Sequence, residues 1–142
     1  MRHDGGCHCG ALGISYESDV APEETEVRAC QCSFCRKHAS RAVSDPAGKV
    51  TILLRDEAAV QRYRFGLGTA DYYLCGRCGV YVAAVMPDEG RHYAVAIVNA
   101  FDDDSRFARA PAPSDYSAED EAGRRQRRRE RWTPAEIVRE SR

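Results

Sequence analysis

The sequence carries three short cysteine-rich turns, which read Gly5-Gly6-Cys7-His8-Cys9-Gly10-Ala11, Cys30-Gln31-Cys32-Ser33-Phe34-Cys35 and Cys75-Gly76-Arg77-Cys78-Gly79. Cysteines separated by one or two residues on a tight turn can bind one metal ion through their thiolates, at about 2.3 Å for zinc. Glycines in the first and third turns help the backbone to fold that tightly. All seven cysteines lie in these turns, which indicates metal ligands rather than scattered core thiols.

The seven thiols divide into a group of four and a group of three. A structural zinc ion takes four ligands, usually from two such turns. The first and third turns therefore predict one four-thiolate site: Cys7, Cys9, Cys75 and Cys78. The middle turn predicts a three-thiolate site with one open coordination position: Cys30, Cys32 and Cys35. An open position is what a catalytic zinc ion requires, so we expect two zinc ions per chain. Spacing alone leaves a second partition open, in which the first turn shares a site with the middle one.

The bulk composition fits one soluble domain. The chain has 142 residues, a formal net charge of -1 and a hydrophobic content of 43%, which is enough to bury a core without disulfide staples. With a net charge near zero, bulk attraction to nucleic acid or to a membrane surface is not expected. No apolar run has the length of a signal peptide or a membrane span. We therefore expect a cytoplasmic protein, in which thiols stay reduced.

Short apolar runs between Gly- and Pro-marked turns predict a mainly β fold. The composition changes after about residue 107, so we predict a zinc-binding domain over residues 1–109 and a Pro/Ala linker with an Arg-rich helical tail over residues 110–142. Residues 117–131 are polar and compatible with a helix. Thr133-Pro134-Ala135-Glu136 has the cap residue, proline and glutamate that open a helix, and it predicts a short last helix.

The three turns, in this order, resemble the glutathione-dependent formaldehyde-activating enzyme family, which includes the centromere protein V type. The resemblance extends to Tyr63-Arg64-Phe65-Gly66 and Val98-Asn99, and it covers roughly residues 5–107. The sequence that ends in Trp132-Thr133-Pro134 is similar to a tail that some members carry.

The resemblance implies a β-tent fold built from short antiparallel sheets that bind zinc. It also implies that the four-thiolate site is structural and that the three-thiolate site is the active one. The implied activity is that of a carbon–sulfur lyase acting on a thiol–aldehyde adduct, such as S-hydroxymethylglutathione formed from glutathione and formaldehyde.

The residues that follow the middle turn bear on the function. Arg36 and Lys37 could offset the negative charge of the thiolates or hold a substrate carboxylate, and Arg36 joins the three cysteines as a catalytic candidate. The alternative is that both are ordinary surface charges. His38 lies three residues after Cys35, which is a ligand spacing. A ligand role for His38 would close the site and favour a non-catalytic, zinc-stabilised binding module. His8, between two ligands, is expected to point to solvent.

Six arginines lie within residues 124–131. In the binding-module alternative, this run engages a partner. The acidic residues just before it and the absence of interleaved aromatic residues argue against nucleic acid as the partner. We expect a solvated helix face, or an arm that packs on the domain through Trp132.

Overall fold

A computed structural model describes residues 1–140 of the chain, and this part folds into eleven strands and two α-helices. The strands are β1 (Arg2–Gly6), β2 (Leu12–Glu17), β3 (Arg28–Cys30), β4 (Ala42–Val43), β5 (Lys49–Leu54), β6 (Val60–Tyr63), β7 (Asp71–Cys75), β8 (Tyr81–Asp88), β9 (Arg91–Ile97), β10 (Ala112–Ser114) and β11 (Thr133–Arg139). The helices are α1 (Ser33–His38) and α2 (Glu121–Arg131). The chain is therefore mainly β with a short C-terminal helix, as the sequence predicts.

The strands form one branched sheet in the order β1-β2-β5-β11-β9-β4-β3-β10. The branch starts at β9, which also pairs with β8, and β8 continues to β7 and β6. Two pairings, β11 with β5 and β10 with β3, are parallel. The expectation of antiparallel sheets is wrong for these two pairings. β10 and β11 each reach the partner strand after a long connection rather than a hairpin, and such a connection allows parallel pairing.

The core lies between the folded branches of this sheet. In β5 the buried residues alternate, with Val50, Ile52 and Leu54 inward, as expected for a strand covered on one face. In β8, residues 81–86 are all buried, so this strand is covered on both faces. Trp132 is 7% exposed and belongs to a second cluster around Tyr81. The chain thus packs against the core directly after α2, as expected for an arm docked through Trp132.

The short last helix predicted at Thr133 is wrong, because residues 133–139 form β11. This strand runs parallel to β5 over Ala135–Arg139 and antiparallel to β9 over Thr133–Ala135. Thr133 does not cap a helix; it is fully buried, and its Oγ1 accepts a hydrogen bond from the Asp45 backbone N–H. The more buried residues alternate along β11, and this two-residue period favours a strand. Tertiary pairing has overridden the local capping signal.

Helix α1 was not predicted from the sequence. It begins directly after Cys32, whose side chain accepts a hydrogen bond from the Cys35 backbone N–H and so caps the helix. It ends at His38, and the next residue, Ala39, has a left-handed backbone conformation with φ of 50°. Within the middle cysteine turn, Cys32 is therefore the cap of a helix and Cys35 lies in its first turn. Within residues 1–140, no helix is both long and apolar enough to cross a membrane.

Candidate metal centres and the pocket beside them

The four-thiol cluster consists of Cys7, Cys9, Cys75 and Cys78, whose sulfur atoms all lie within 4.8 Å of one another. Two of the separations are 3.7 Å, from Cys7 to Cys9, and 3.5 Å, from Cys9 to Cys75. Four thiolates around a tetrahedral zinc ion at about 2.3 Å stand about 3.8 Å apart, whereas a disulfide joins its sulfurs at about 2.05 Å. The spacing fits a metal ion at the centre of the cluster.

The backbone around this cluster donates hydrogen bonds to sulfur. The N–H of Leu12 donates to Cys7 Sγ at 3.3 Å, and the N–H of Cys78 donates to Cys75 Sγ at 3.5 Å. Such donors stabilise the thiolate form that a metal ion binds. The third cysteine turn, which contains Cys75 and Cys78, closes at Gly79, whose backbone φ of +79° suits glycine. In both turns, backbone N–H groups thus stabilise negative charge on the sulfur atoms.

The three-thiol cluster consists of Cys30, Cys32 and Cys35, whose sulfur atoms also lie within 4.8 Å of one another. Cys30 ends β3, and the other two belong to the cap and first turn of α1. A hydrogen bond from Cys35 lowers the pKa of the Cys30 thiol to about 5, and the same bond raises the pKa of Cys35. This contact favours the thiolate form at Cys30 over that at Cys35. Thiolate is the form of cysteine that binds a metal ion.

Among the described residues, no fourth Cys, His, Asp or Glu joins the three-thiol cluster. His38 is exposed, and its ring packs against Phe34 and Tyr81 with centroid separations of 4.6 Å and 5.5 Å. His8 is exposed as well and is not part of the four-thiol cluster. The side chains of residues 1–140 thus leave one tetrahedral position open at the three-thiol cluster, should it hold zinc.

Two hollows flank the three-thiol cluster. The inner cavity, about 60 Å³, has Cys30 and Cys35 in its lining together with apolar residues such as Val95, Ile97 and Trp132. The outer pocket, about 420 Å³, has Cys30 and Cys32 in its lining. A pocket of this volume is in the size range of small-molecule sites. The cluster can therefore be reached by a ligand of several heavy atoms.

An aromatic cluster supports the turn that carries these thiols. Phe34 lies between Cys32 and Cys35, and its ring contacts four others at centroid separations of 4.9 to 5.7 Å: Tyr63, Phe65, Tyr72 and Tyr81. Ring pairs at such distances add about 0.5–1.5 kcal/mol each beyond their burial. Burial raises the pKa of Tyr72 to about 12, so its hydroxyl stays protonated. Phe34 thus anchors α1 and fixes the position of its cysteines.

Residues 2–118 match the model of a family described as glutathione-dependent formaldehyde-activating enzyme. The chain belongs to this family. Its fold is also similar to a crystal structure of a Rhodobacter sphaeroides protein, with a TM-score of 0.58 and 24% identity over 78% of this chain and 99% of the other. The family resemblance seen in the cysteine turns is confirmed. Both α2 and β11 lie beyond the region that matches the formaldehyde-activating family.

Helix α2 supplies the arginines of the outer pocket. Arg124, Arg127 and Arg128 lie on one helix face, since they are three and four residues apart, and all three line the pocket beside the family's middle cysteine turn. We call them the arginine face. Arg125 and Arg129 lie on another face, and each places a guanidinium nitrogen 3.2 Å from a carboxylate oxygen of Asp88. The six arginines form one run in the sequence, and their division between two helix faces follows from the three- and four-residue spacing.

Arg36 is not among the residues that line the outer pocket. It is exposed, and its Nε donates a hydrogen bond to the backbone carbonyl of Gln31 at 3.1 Å. Lys37 is also exposed. In this member of the formaldehyde-activating family, the arginines that line the outer pocket therefore come from the tail rather than from the cysteine turn.

Proposed function

We propose that the chain is a zinc-dependent enzyme of the carbon–sulfur lyase class, which forms or cleaves the adduct of a small thiol and an aldehyde. Glutathione and formaldehyde are the substrate pair that membership of the family suggests. The observation that carries the proposal is the three-thiol cluster, which has no fourth side-chain ligand within residues 1–140 and borders a pocket of about 420 Å³.

In this proposal, Cys30, Cys32 and Cys35 hold a zinc ion, which when bound lowers the pKa of a coordinated thiol and polarises a carbonyl group. The thiol sulfur forms a bond to the aldehyde carbon, and the thiol proton ends on the former carbonyl oxygen. The reverse reaction breaks the same carbon–sulfur bond. The outer pocket brings the two reactants together, which lowers the entropic part of the barrier. Arg36, which directly follows Cys35 in the sequence, would offset part of the negative charge of the thiolates.

The four-thiol cluster has a structural role in this proposal. All four of its positions are filled by Cys7, Cys9, Cys75 and Cys78, which leaves no place for a substrate. The alternative function, a binding module whose arginine tail engages a partner, has less support. Four arginines of α2 already form ion pairs with acidic residues of the same chain: Arg124 and Arg127 with Glu119, and Arg125 and Arg129 with Asp88.

The metal content tests the assignment of both clusters. Protein purified with zinc present should contain about two equivalents per chain by elemental analysis, because each cluster provides at least three soft ligands. The Cys32→Ser variant should retain about one equivalent, held by the four-thiol cluster. A reproducible value of one equivalent for the unaltered protein would contradict the two-site assignment.

Thiol binding tests the function. Isothermal titration of the zinc-loaded protein with glutathione, with and without formaldehyde, should give a saturable heat. Cys32→Ser should remain folded and lose this heat, because one of the three thiolates that hold the ion is gone. His38→Ala is the matched control from the same helix, and we expect it to bind glutathione normally. A zinc-replete protein that takes up no glutathione at millimolar concentration would refute the proposed substrate.

A further inference from the structure

The inner cavity is bordered by three guanidinium groups, those of Arg28, Arg127 and Arg128, and its lining contains no aspartate or glutamate. Arg127 is partly compensated, because it donates two hydrogen bonds to Glu119 at 2.8 Å and 3.0 Å. Arg28 is half-buried; its Nη2 donates to Ser44 Oγ at 2.6 Å, and it has no ion pair with any carboxylate within residues 1–140. Apart from the thiolates, the side chains around this cavity therefore carry more positive than negative charge.

Arg128 is the most unusual of these groups. It is only 5% exposed, and its guanidinium lies over the Trp132 ring with a centroid distance of 4.4 Å. One of its nitrogens donates to Thr69 Oγ1 at 2.8 Å, but its Nε is buried and has no hydrogen-bond partner in the described chain. A buried charge without a counter-ion is strongly unfavourable. The side chain lines both the inner cavity and the outer pocket, so an anion bound there would offset this cost.

The neighbouring contacts indicate which kind of anion fits. The carboxylate of Glu119 already bridges two of the three arginines of this face, because it accepts from Arg127 and also lies 3.4 Å from Arg124 Nε. This carboxylate shows that the guanidinium groups of Arg124 and Arg127 stand at a spacing that a carboxylate can bridge. Guanidinium and carboxylate form planar, paired hydrogen bonds. Arg128, whose Nε has no hydrogen-bond partner in the described chain, lines the same pocket as Cys30.

We infer that the arginine face, with Arg128 as its principal member, is a carboxylate-binding subsite that makes this chain select thiols carrying a carboxylate. The inference rests on the proposed function, in which the thiol binds at the three-thiol cluster. The subsite is a property of the tail, since residues 119–140 lie outside the region 2–118 that matches the family. In this inference, α2 rather than Arg36 provides the preference for thiols that carry a carboxylate.

The test uses two thiols that differ only in charge, 3-mercaptopropionate and 3-mercaptopropanamide, titrated calorimetrically into the zinc-loaded full chain. We expect the carboxylate to bind roughly tenfold to hundredfold more tightly, the range for a charge-assisted hydrogen bond. Arg128→Met keeps the apolar stem against Trp132 and should abolish the preference. Arg127→Gln, at a half-buried position, should reduce it even if Arg128→Met folds poorly. Arg129→Met, on the Asp88 side of the helix, should leave it intact.

The two proposals fail in different ways. Equal affinity for the two thiols in the unaltered protein would overturn the carboxylate subsite and leave the thiol site standing. Absence of binding by both thiols, in protein with two zinc equivalents, would overturn the proposed function and the subsite with it. A preference that survives both Arg128→Met and Arg127→Gln would also overturn the subsite.

Discussion

Replacing Cys78 with serine is expected to lower the melting temperature of the zinc-loaded protein by on the order of 10 °C or more. The four-thiol cluster ties the turn after β1 to the turn after β7, and Cys9 and Cys75 are 66 residues apart in sequence. A metal ion that closes so long a loop contributes its binding free energy directly to folding. Serine cannot replace the thiolate as a zinc ligand, so most of that contribution is lost.

Cys32→Ser is the matched control, because Cys32 and Cys78 are both half-buried and the substitution is the same. The three thiols of its cluster lie within six consecutive residues, so a metal ion there constrains little chain, and we expect a shift of only a few degrees. Differential scanning calorimetry of both variants, with zinc and after chelation, makes the comparison. Chelation should remove the difference between them. Equal shifts in zinc-loaded protein would show that the clusters do not divide into structural and open sites.

A chain that ends at Trp132, and so lacks β11, is expected to lose cooperative unfolding. Strand β11 lies inside the sheet, between β5 and β9, and its removal leaves both neighbours with unpaired backbone groups. Burial of Ile137 against the core is lost as well. The combined loss is comparable to the whole stability of a small domain, about 5–15 kcal/mol. Thermal unfolding followed by near-ultraviolet circular dichroism should show no transition.

Glu136→Ala provides the control for this truncation. Glu136 lies on β11, but its side chain is about half exposed and forms only a surface ion pair with Lys49 at 2.9 Å. Such pairs contribute about 0–1 kcal/mol, so the melting temperature should hardly change. A truncated chain that unfolds as cooperatively as the full one would support a domain that ends near residue 109, as the sequence predicted.

The cysteine turns allowed the thiol ligands to be predicted, because ligand spacing within a turn is a local property of the chain. Which turns share a site is not local, and spacing alone left two partitions open; the structure has Cys7 and Cys9 with Cys75 and Cys78, and the middle turn by itself. The mainly β fold also followed from short apolar runs and their turns. The ligand spacing and the strand pattern depend on neighbours within a few residues, where periodicity and turn chemistry are informative.

The features that were missed depend on distant parts of the chain. Thr133 and Pro134 satisfy a helix-capping pattern, yet pairing with β9 and β5 places them in a strand. Arg128 resembles its neighbours in the sequence, and only the fold shows that it is buried against Trp132 while Arg129 is exposed. A polar, arginine-rich helix gives no local sign of which face docks, because guanidinium stems can cover apolar surface.

The place of β11 in the sheet sets the order in which the protein can mature during synthesis. The four-thiol cluster is complete once Cys78 has left the ribosome, whereas β5 and β9 must wait for a partner that begins at Thr133. At about 5–20 residues per second, this interval lasts on the order of several seconds, with two strand edges uncovered. The residues of the arginine face are synthesised immediately before β11. Cys30, Cys32 and Cys35 leave the ribosome earlier still, so a nascent chain could carry both thiol clusters well before it has a pocket in which to select a thiol.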